Sequence, residues 1–298
     1  MPKKPALSVS TVPLSVAVRS WKLSLQARNL SARTIEQYVE SLGLFVSFTN
    51  DKDLAAVTTQ DVQSFLADQL GRLKPSSVLT RYKGLRLFFV WCVDEEELEA
   101  SPMTKVRPPI VPEQPVPVLL DCNVRTLLKA CAGKDFESRR NLAILSVLFD
   151  TGIRRAECAS LTVDDLDLER RCLRVLGKGR SVRLVPFGAQ TAKALDRWLR
   201  VRGNANTDAL WLSARGRGPL TSNAIRLMLD RLSRETGVEL HAHLFRHTFA
   251  HNHLNNGGNE GDLMMLAGWK SRQMLNRYAS STAAERARNA YRSPLDML

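Results

Sequence analysis

Four charged or titratable side chains in the second half of the sequence have the chemistry needed to bind a phosphodiester. Arg154 follows a Thr-Gly break at the start of an expected helix, and Lys178 lies on a glycine-flanked turn between two expected strands. His243 and Arg246 are three residues apart, which places them on one face of a helix. Guanidinium groups bind two phosphate oxygens at once, and a lysine on a tight turn can protonate a leaving oxygen. The set therefore indicates a phosphoryl-transfer site.

Tyr278 is the candidate nucleophile of this site. It lies nine residues after Trp269, which itself follows a glycine. A phenol, with a pKa of about 10, is a poor nucleophile unless nearby cations lower that pKa or a base takes its proton. The cluster supplies nearby cations, which lower the pKa of the phenol, and a histidine that can take its proton. Taken alone, Tyr278 would be interpreted as an ordinary half-buried tyrosine and Lys178 as a surface residue of a hairpin, but the neighbouring motifs favour the catalytic interpretation.

Five short segments occur in the order and spacing typical of one protein family. They are Thr-Gly-Ile-Arg-Arg-Ala-Glu at 151–157, Leu-Gly-Lys-Gly at 176–179, His-Leu-Phe-Arg-His-Thr-Phe-Ala at 243–250, Gly-Trp at 268–269, and Tyr278. The sequence thereby resembles the tyrosine recombinase (phage integrase) family, and within it the simple Xer-like type. Leu-Ser-Ala-Arg-Thr at 30–34 and Pro-Ser-Ser-Val at 75–78 resemble the N-terminal domain of that family.

The resemblance implies a role for each matched side chain. Arg154 and Arg246 would hold the non-bridging oxygens of the scissile phosphate. Lys178 would protonate the 5′-hydroxyl, and His243 would assist proton transfer at the tyrosine and help to hold the phosphate. Tyr278 would form a 3′-phosphotyrosine bond that preserves the energy of the broken phosphodiester. No ATP-binding Gly-x-x-x-x-Gly-Lys-Ser/Thr sequence is present, and no cofactor or metal is expected.

Further residues match supporting positions of the same family. Glu157 matches an acidic position that braces the site, His247 matches a packed structural residue beside the arginine, and Trp269 stands where members have His or Trp. An indole N–H donates a hydrogen bond but cannot accept one. Arg155 replaces a commonly apolar residue and Phe245 a usual leucine. These departures leave the charged catalytic groups intact and bear on partner and site preference.

The implied fold is mainly α-helical with a small β-sheet. It comprises an N-terminal four-helix, SAM-like core-binding domain and a mixed α/β catalytic domain, and hydrophobic periodicity independently indicates four helices in the first part. We expect a basic tail over residues 1–13, the helical domain over 14–100, a linker over 101–118 and the catalytic domain over 119–298. Six prolines in the linker fix φ angles and remove N–H groups, which predicts a semi-extended chain.

The second part contains the elements that would position the site. Apolar, β-branched runs at 172–176 and 182–187 flank the glycine-rich turn and predict a strand–turn–strand unit. The other expected elements are helices at 121–132, 137–150 and 154–161, an acidic turn at 164–167, a short strand at 209–212 and a tail helix at 282–291. In similar recombinases such a tail docks on a neighbouring subunit; folding back on its own domain is the alternative.

The charge distribution indicates a polyanionic partner, with double-stranded DNA the first choice. The formal net charge is +13, of which +11 lies after Val118. The resemblance implies short core recombination sites, a homo-tetramer in the synapse with a Holliday junction intermediate, and a monomer or dimer when free. No arm-binding domain is expected, because few residues precede the first helix. Backbone contacts are expected from Arg33, Lys83, Arg86, Lys105, Arg107 and Arg180.

Three other functions compete with recombination. A type IB topoisomerase-like enzyme would use similar chemistry to relax DNA, and a non-catalytic DNA-binding protein would not depend on Tyr278. Alternatively, His243, His247 and His251 could form a metal site on one helix face, although no His-Glu-x-x-His pattern is present. The five cysteines include no Cys-x-x-Cys pair, and the sequence has no apolar run of membrane length or of the secretory type. These features predict a cytoplasmic protein without a membrane partner.

Overall fold

A computed structural model of the chain describes residues 12–112, 116–177, 181–213, 218–272, 274–275, 291 and 293. The chain divides into two compact units, Met1–Glu113 and Gln114–Leu298. The described residues form eleven α-helices and one three-stranded sheet, which confirms the expected fold class. None of the helices in these segments combines the length and the apolarity that a membrane span needs.

Four helices build the first unit, and side-chain caps mark the starts of two of them. They are α1 (Leu14–Ala27), α2 (Ala32–Phe48), α3 (Thr59–Leu70) and α4 (Pro75–Asp94). The Ser31 hydroxyl accepts a hydrogen bond from the Thr34 N–H at 3.2 Å and caps α2. Thr58 and Asp61 form a reciprocal capping box at the start of α3. Residues close in the sequence therefore set where α2 and α3 begin.

An aromatic core holds the four helices together. Trp21, Phe45, Phe65 and Phe88 are almost completely buried. The rings of Phe45 and Phe65 meet edge to face with centroids 5.2 Å apart, and those of Trp21 and Phe88 do so at 5.5 Å. This geometry is favoured by the ring quadrupoles, in addition to the burial of apolar area.

The beginning of the proline-rich segment packs against this first unit. Met103 and Val106 are buried in its core. The Tyr82 hydroxyl donates to the Val106 carbonyl at 2.9 Å, and the Thr59 hydroxyl donates to the Pro102 carbonyl at 2.8 Å. Residues 101–112 form no helix or strand, in keeping with their prolines. The segment is thus anchored to the helical unit as far as Val106.

The second unit combines seven helices with the sheet in its described residues. The helices are α5 (Asp121–Ala130), α6 (Phe136–Thr151), α7 (Arg155–Ala159), α8 (Ala189–Arg202), α9 (Ser222–Thr236), α10 (Ala242–Asn255) and α11 (Glu260–Ala267). The strands are β1 (Leu166–Asp167), β2 (Cys172–Leu176) and β3 (Val182–Pro186), antiparallel and in that order. Trp198 and Trp211 stack in the core at 6.2 Å, and the Trp211 indole donates to the Cys158 carbonyl at 2.8 Å.

The sheet presents one face to the core and the other to solvent. Leu173 pairs with Val185 across β2 and β3, and Val175 pairs with Arg183. Leu173, Val175 and Val185 are fully buried, whereas Leu184 is exposed. Because side chains alternate along a strand, Arg183 shares the inward face with Val185. A charged residue therefore lies on the core side of this small sheet.

The expected helices 121–132, 137–150 and 154–161 are confirmed with ends shifted by one or two residues. Two other sequence predictions in this unit differ from the structure in kind. The strand expected at 209–212 is wrong: Ala209 forms an isolated bridge with Thr162 and Leu212 with Pro219, so the run has no continuous partner strand. The expected acidic turn at 164–167 ends in β1, because its last two residues pair with Leu173 and Cys172. The expected tail helix at 282–291 lies outside the described residues, apart from Tyr291.

Candidate active site

Arg154 lies at the junction of α6 and α7. Gly152 ends α6 in the left-handed conformation, with φ 58°, and Arg154 is the extended N-cap residue of α7. The Arg154 N–H donates to Glu157 Oε2 and its Nη1 to Glu157 Oε1, both at 2.8 Å. The side chain of Arg154 is 41% exposed and that of Glu157 only 7%. The buried carboxylate thus fixes one edge of the guanidinium and leaves much of the Arg154 side chain accessible to solvent.

Glu157 also binds a second guanidinium, that of Arg183 on β3. Arg183 Nη2 lies 2.8 Å from Glu157 Oε2, and Nη1 lies 3.3 Å from Oε1. Burial by itself would raise the pKa of Glu157, but the hydrogen bonds from Arg183 and Arg154 outweigh it and lower that pKa overall. Glu157 is therefore a carboxylate shared by two arginines, and it stays ionised at neutral pH.

Arg246 joins the ends of two helices. It is 4% exposed on α10. Its Nη1 donates to the Gly152 carbonyl at 2.8 Å, and its Nη2 donates to the Ala267 carbonyl. Both carbonyls lie at helix C-termini, those of α6 and α11, where the partial charge of the helix dipole is negative and favours a cation. The contact with Gly152 brings Arg246 next to the chain segment that carries Arg154.

Trp269 packs against the same arginine. The Arg246 guanidinium carbon lies 5.3 Å from the centroid of the indole ring. Trp269 is 6% exposed and belongs to a small apolar cluster with Leu254, Leu263 and Leu275. Gly268, in the left-handed conformation at φ 63°, ends α11 immediately before it. Trp269 therefore packs in the core and also contacts Arg246. This packing is compatible with the role in the site that the sequence predicts.

His243 and His247 lie on α10 near Arg246. The side chain of His243 is exposed, yet loss of hydration beside the protein lowers the pKa of its imidazole below the ordinary value. The neighbouring His241 and the charges of Arg246 and Arg154 lower that pKa further. The His243 and His247 rings lie 6.4 Å apart. At neutral pH His243 is consequently an uncharged imidazole that can accept a proton.

The structure brings together four of the six predicted catalytic residues, namely Arg154, His243, Arg246 and Trp269. The other two, Lys178 and Tyr278, lie outside the described residues, and their roles stay predictions, as does the DNA contact of Arg180. The remaining predicted DNA-contacting residues are all exposed in the first unit: Arg33 on α2, Lys83 and Arg86 on α4, and Lys105 and Arg107 on the proline-rich segment.

The histidine-rich helix does not gather a metal-ligand group. In the segments that the structure describes, no three His, Cys, Asp or Glu side chains come together in a way that could hold a metal ion. His243, His247 and His251 occur at helical spacing, but no carboxylate or thiolate joins them there. The helix instead supplies the arginine and imidazole of the site.

Arg183 is a site residue that the sequence analysis missed. Its signal is present in the alternation of β3, where an arginine occupies the same face as the buried Val185 and pairs with the buried Val175. A charge on the core-facing side of a strand predicts a buried partner. That partner, Glu157, is 26 residues away in the chain and could not be chosen from the sequence alone.

Comparisons with known proteins agree with this fold and site. The model of the phage integrase family matches residues 117–285, and that of the phage integrase N-terminal SAM-like domain matches residues 18–98. The chain therefore belongs to the phage integrase family and is a site-specific tyrosine recombinase. This membership favours recombination over the topoisomerase-like and non-catalytic alternatives.

Individual relatives span nearly the whole chain. Tyrosine recombinase XerC of Oceanobacillus iheyensis is 31% identical over 280 residues, covering 89% of this chain and 90% of the relative. The XerC of Bacillus subtilis is 28% identical over 279 residues, covering 89% and 91%. The crystal structure of the XerH site-specific recombinase, bound to a palindromic difH substrate in a post-cleavage complex, has a TM-score of 0.73 at 19% identity, covering 92% and 84%. That likeness concerns the fold.

Proposed function

We propose that this recombinase cuts and rejoins DNA strands through a covalent bond between Tyr278 and the 3′ phosphate of the broken strand. The observation that carries the proposal is the convergence of Arg154, Arg246 and His243 in the second unit. Two guanidiniums and an uncharged imidazole are the groups that a phosphodiester needs for charge neutralisation and proton transfer. Nothing in this set requires ATP, because the tyrosyl phosphate keeps the energy of the broken bond.

Arg154 and Arg246 bind the non-bridging oxygens in this proposal. A guanidinium carries five N–H donors. Arg154 uses one of its side-chain donors on Glu157. Arg246 uses two of its nitrogens on backbone carbonyls, which fixes the plane of its fork. A preorganised fork of this kind stabilises the charge that develops on the phosphorane and needs little reorganisation during the reaction.

The proton transfers follow from the remaining groups. The phenolic oxygen of Tyr278 attacks phosphorus, its proton passes to His243, and the bond from phosphorus to the 5′ oxygen breaks. Lys178 gives its proton to that leaving oxygen. In religation a 5′-hydroxyl attacks the tyrosyl phosphate, the proton returns to the lysine, and the phenol leaves with the proton held by the histidine. Trp269 contributes by packing against Arg246.

The first unit is proposed to supply the grip on DNA. We propose that residues 14–100 form the core-binding domain, residues 101–118 the linker and residues 119–298 the catalytic domain. The exposed cations Arg33, Lys83, Arg86, Lys105 and Arg107 would contact the phosphate backbone of a short duplex core site, with Arg180 adding a contact in the second domain. The XerH structure is bound to a palindromic difH substrate, which supports a partner of this kind.

The exchange reaction requires more than one copy of the chain. We propose four copies in the synapse and a Holliday junction intermediate, because two duplexes offer four strands for cleavage. A monomer or dimer is proposed for the free protein. The cytoplasmic location rests on the reduced cysteines expected from the sequence.

Covalent trapping tests the proposal. A duplex nicked beside the cleavage position loses its short 5′-hydroxyl fragment after cleavage, so the enzyme cannot religate and accumulates on the DNA. We expect the wild type to form a complex that survives SDS in the presence of EDTA. Tyr278→Phe should shift DNA in a gel but form no such complex, whereas Tyr291→Phe should form it normally. A covalent complex with Tyr278→Phe, or none with the wild type, would overturn the proposal.

A further inference from the structure

Arg183 binds protein groups through all three of its guanidinium nitrogens. Its Nη2 and Nη1 reach the two oxygens of Glu157 at 2.8 and 3.3 Å, and its Nε donates to the Leu266 carbonyl at 2.8 Å. All three nitrogens are therefore committed to protein groups. The side chain is 14% exposed, compared with 41% for Arg154. Arg183 is the buried end, and Arg154 the accessible end, of one charge cluster centred on Glu157.

The second guanidinium changes the charge that a bound phosphate would meet. A single arginine on the buried Glu157 would form a neutral pair, in which the carboxylate cancels the cation. With Arg183 present, two cations share one carboxylate and the cluster carries a net charge of +1. Because Arg183 is much less exposed than Arg154 and each of its three nitrogens binds a protein group, the uncompensated charge is presented by Arg154.

Arg183 also connects this cluster to the end of α11. Its bond to Leu266 lies beside the bond of Arg246 to Ala267, so two arginines bind successive carbonyls of the last turn of α11. An added Cβ on Gly268 would lie 3.2 Å from the Arg183 guanidinium, which shows how closely the chain passes over it. The chain continues directly from this point to Trp269.

We propose that Arg183 is a positioning residue for DNA cleavage. It holds Glu157 so that Arg154 faces the scissile phosphate with its charge uncompensated, and it fixes the turn of α11 from which the tyrosine-bearing segment departs. Arg183 does not touch the phosphate itself. The inference rests on the proposed phosphate-binding role of Arg154.

The test measures the single-turnover rate of covalent trapping and the Kd for the same nicked duplex in parallel. Arg183→Gln removes the fork and its charge, and we expect trapping to slow by about 10²-fold, the scale of a small misplacement at a reacting centre. The Kd should change by less than about threefold, because most binding energy comes from other phosphate contacts. Arg183→Lys keeps the charge but cannot bind both oxygens in plane, so we expect partial recovery of the rate.

A double-mutant cycle identifies the route of the effect. If Arg183 acts through Glu157, Arg183→Gln combined with Glu157→Gln should be no slower than the slower single variant. Arg200→Gln is the matched control, since Arg200 also pairs with a carboxylate, Asp196, but on the exposed surface of α8. It should trap DNA at the wild-type rate.

Three results would overturn the inference while leaving the proposed function intact. The first is a wild-type trapping rate for Arg183→Gln, and the second is a double variant whose rate loss is the product of the two single losses. The third is a slower Arg183→Gln that also has a lower melting temperature and weaker DNA binding, together with an Arg183→Lys variant that recovers none of the rate. Failure of the wild type itself to trap DNA would instead reject the proposed function.

Discussion

Arg246 donates a hydrogen bond of 2.8 Å to the carbonyl of Gly152, a residue 94 positions earlier in the chain. This bond joins α10 to the break between α6 and α7, and it brings two separate sequence motifs to one place. The approach is close: an added Cβ on Gly152 would lie 2.5 Å from the Phe249 ring on α10. Glycine at this position thus allows both the left-handed helix end and the contact between the helices.

Gly152→Ala should destabilise the protein more than a comparable glycine replacement in open space. A left-handed alanine costs about 1–2 kcal/mol, and overpacking against Phe249 adds about 1–3 kcal/mol. Gly237 is the matched control because it also ends a helix, α9, at φ 71°, with no atom within 4 Å of an added Cβ. Chemical denaturation of both alanine variants measures the difference. Equal free energies of unfolding would contradict the close packing of α6 and α10.

Arg246→Lys should separate binding of DNA from cleavage. Lysine keeps the positive charge but lacks the planar fork of a guanidinium. It therefore cannot bind the Gly152 and Ala267 carbonyls and a phosphate at the same time. We expect covalent trapping to fall by about 10³-fold or more, the scale of removing a phosphate-binding arginine. DNA affinity in a gel shift should change little. Trapping within about tenfold of the wild type would argue against a direct role in transition-state stabilisation.

The elements of this fold and the bracing role of Glu157 were largely predictable, whereas the second arginine bound to Glu157 was not. Helix α1 and strand β2 begin and end where the hydrophobic pattern placed them, and Ser31 caps α2 as expected. These features depend on neighbours in sequence. Arg183 and Glu157 meet only after β3 has packed beside α7, so their pairing is a tertiary event. The strand expected at 209–212 is replaced by isolated bridges, because strand pairing also depends on which segments tertiary packing brings side by side.

The titration of His243 should report the cationic site around it. Its pKa should lie below the ordinary 6.5 in the DNA-free protein, because loss of hydration, His241 and the nearby arginines disfavour the imidazolium. The unfolded chain would take up this proton at a higher pH, so the stability contributed by the neutral ring is present above pH 6.5 and declines as the pH falls toward the lowered pKa.

NMR titration of the histidine ring protons measures this shift. Arg154→Gln removes one of the positive charges that act on His243, and the pKa should rise toward 6.5. Arg200→Gln on the distant surface of α8 should leave it unchanged. A His243 pKa above 6.5 in the wild type would contradict the electrostatic account of the site.

The exposed cations of α4 should contribute to DNA affinity without setting the cleavage rate. Replacing Lys83 and Arg86 together by glutamine should weaken binding and reduce the slope of log K against log salt by about 2, since each phosphate contact contributes about 1. Arg72→Gln is the control, because Arg72 is exposed in the same unit but pairs with Asp68. An unchanged salt slope in the double variant would remove these two residues from the proposed interface.

The most direct test is to identify the residue that carries the DNA in the trapped complex. After nuclease and protease digestion, tandem mass spectrometry can locate the residual nucleotide on a peptide. The chain has four tyrosines. We predict a phosphotyrosyl adduct on Tyr278, lost in Arg154→Ala and Arg246→Ala. An adduct on Tyr291, on another tyrosine or on a serine would contradict the proposed mechanism.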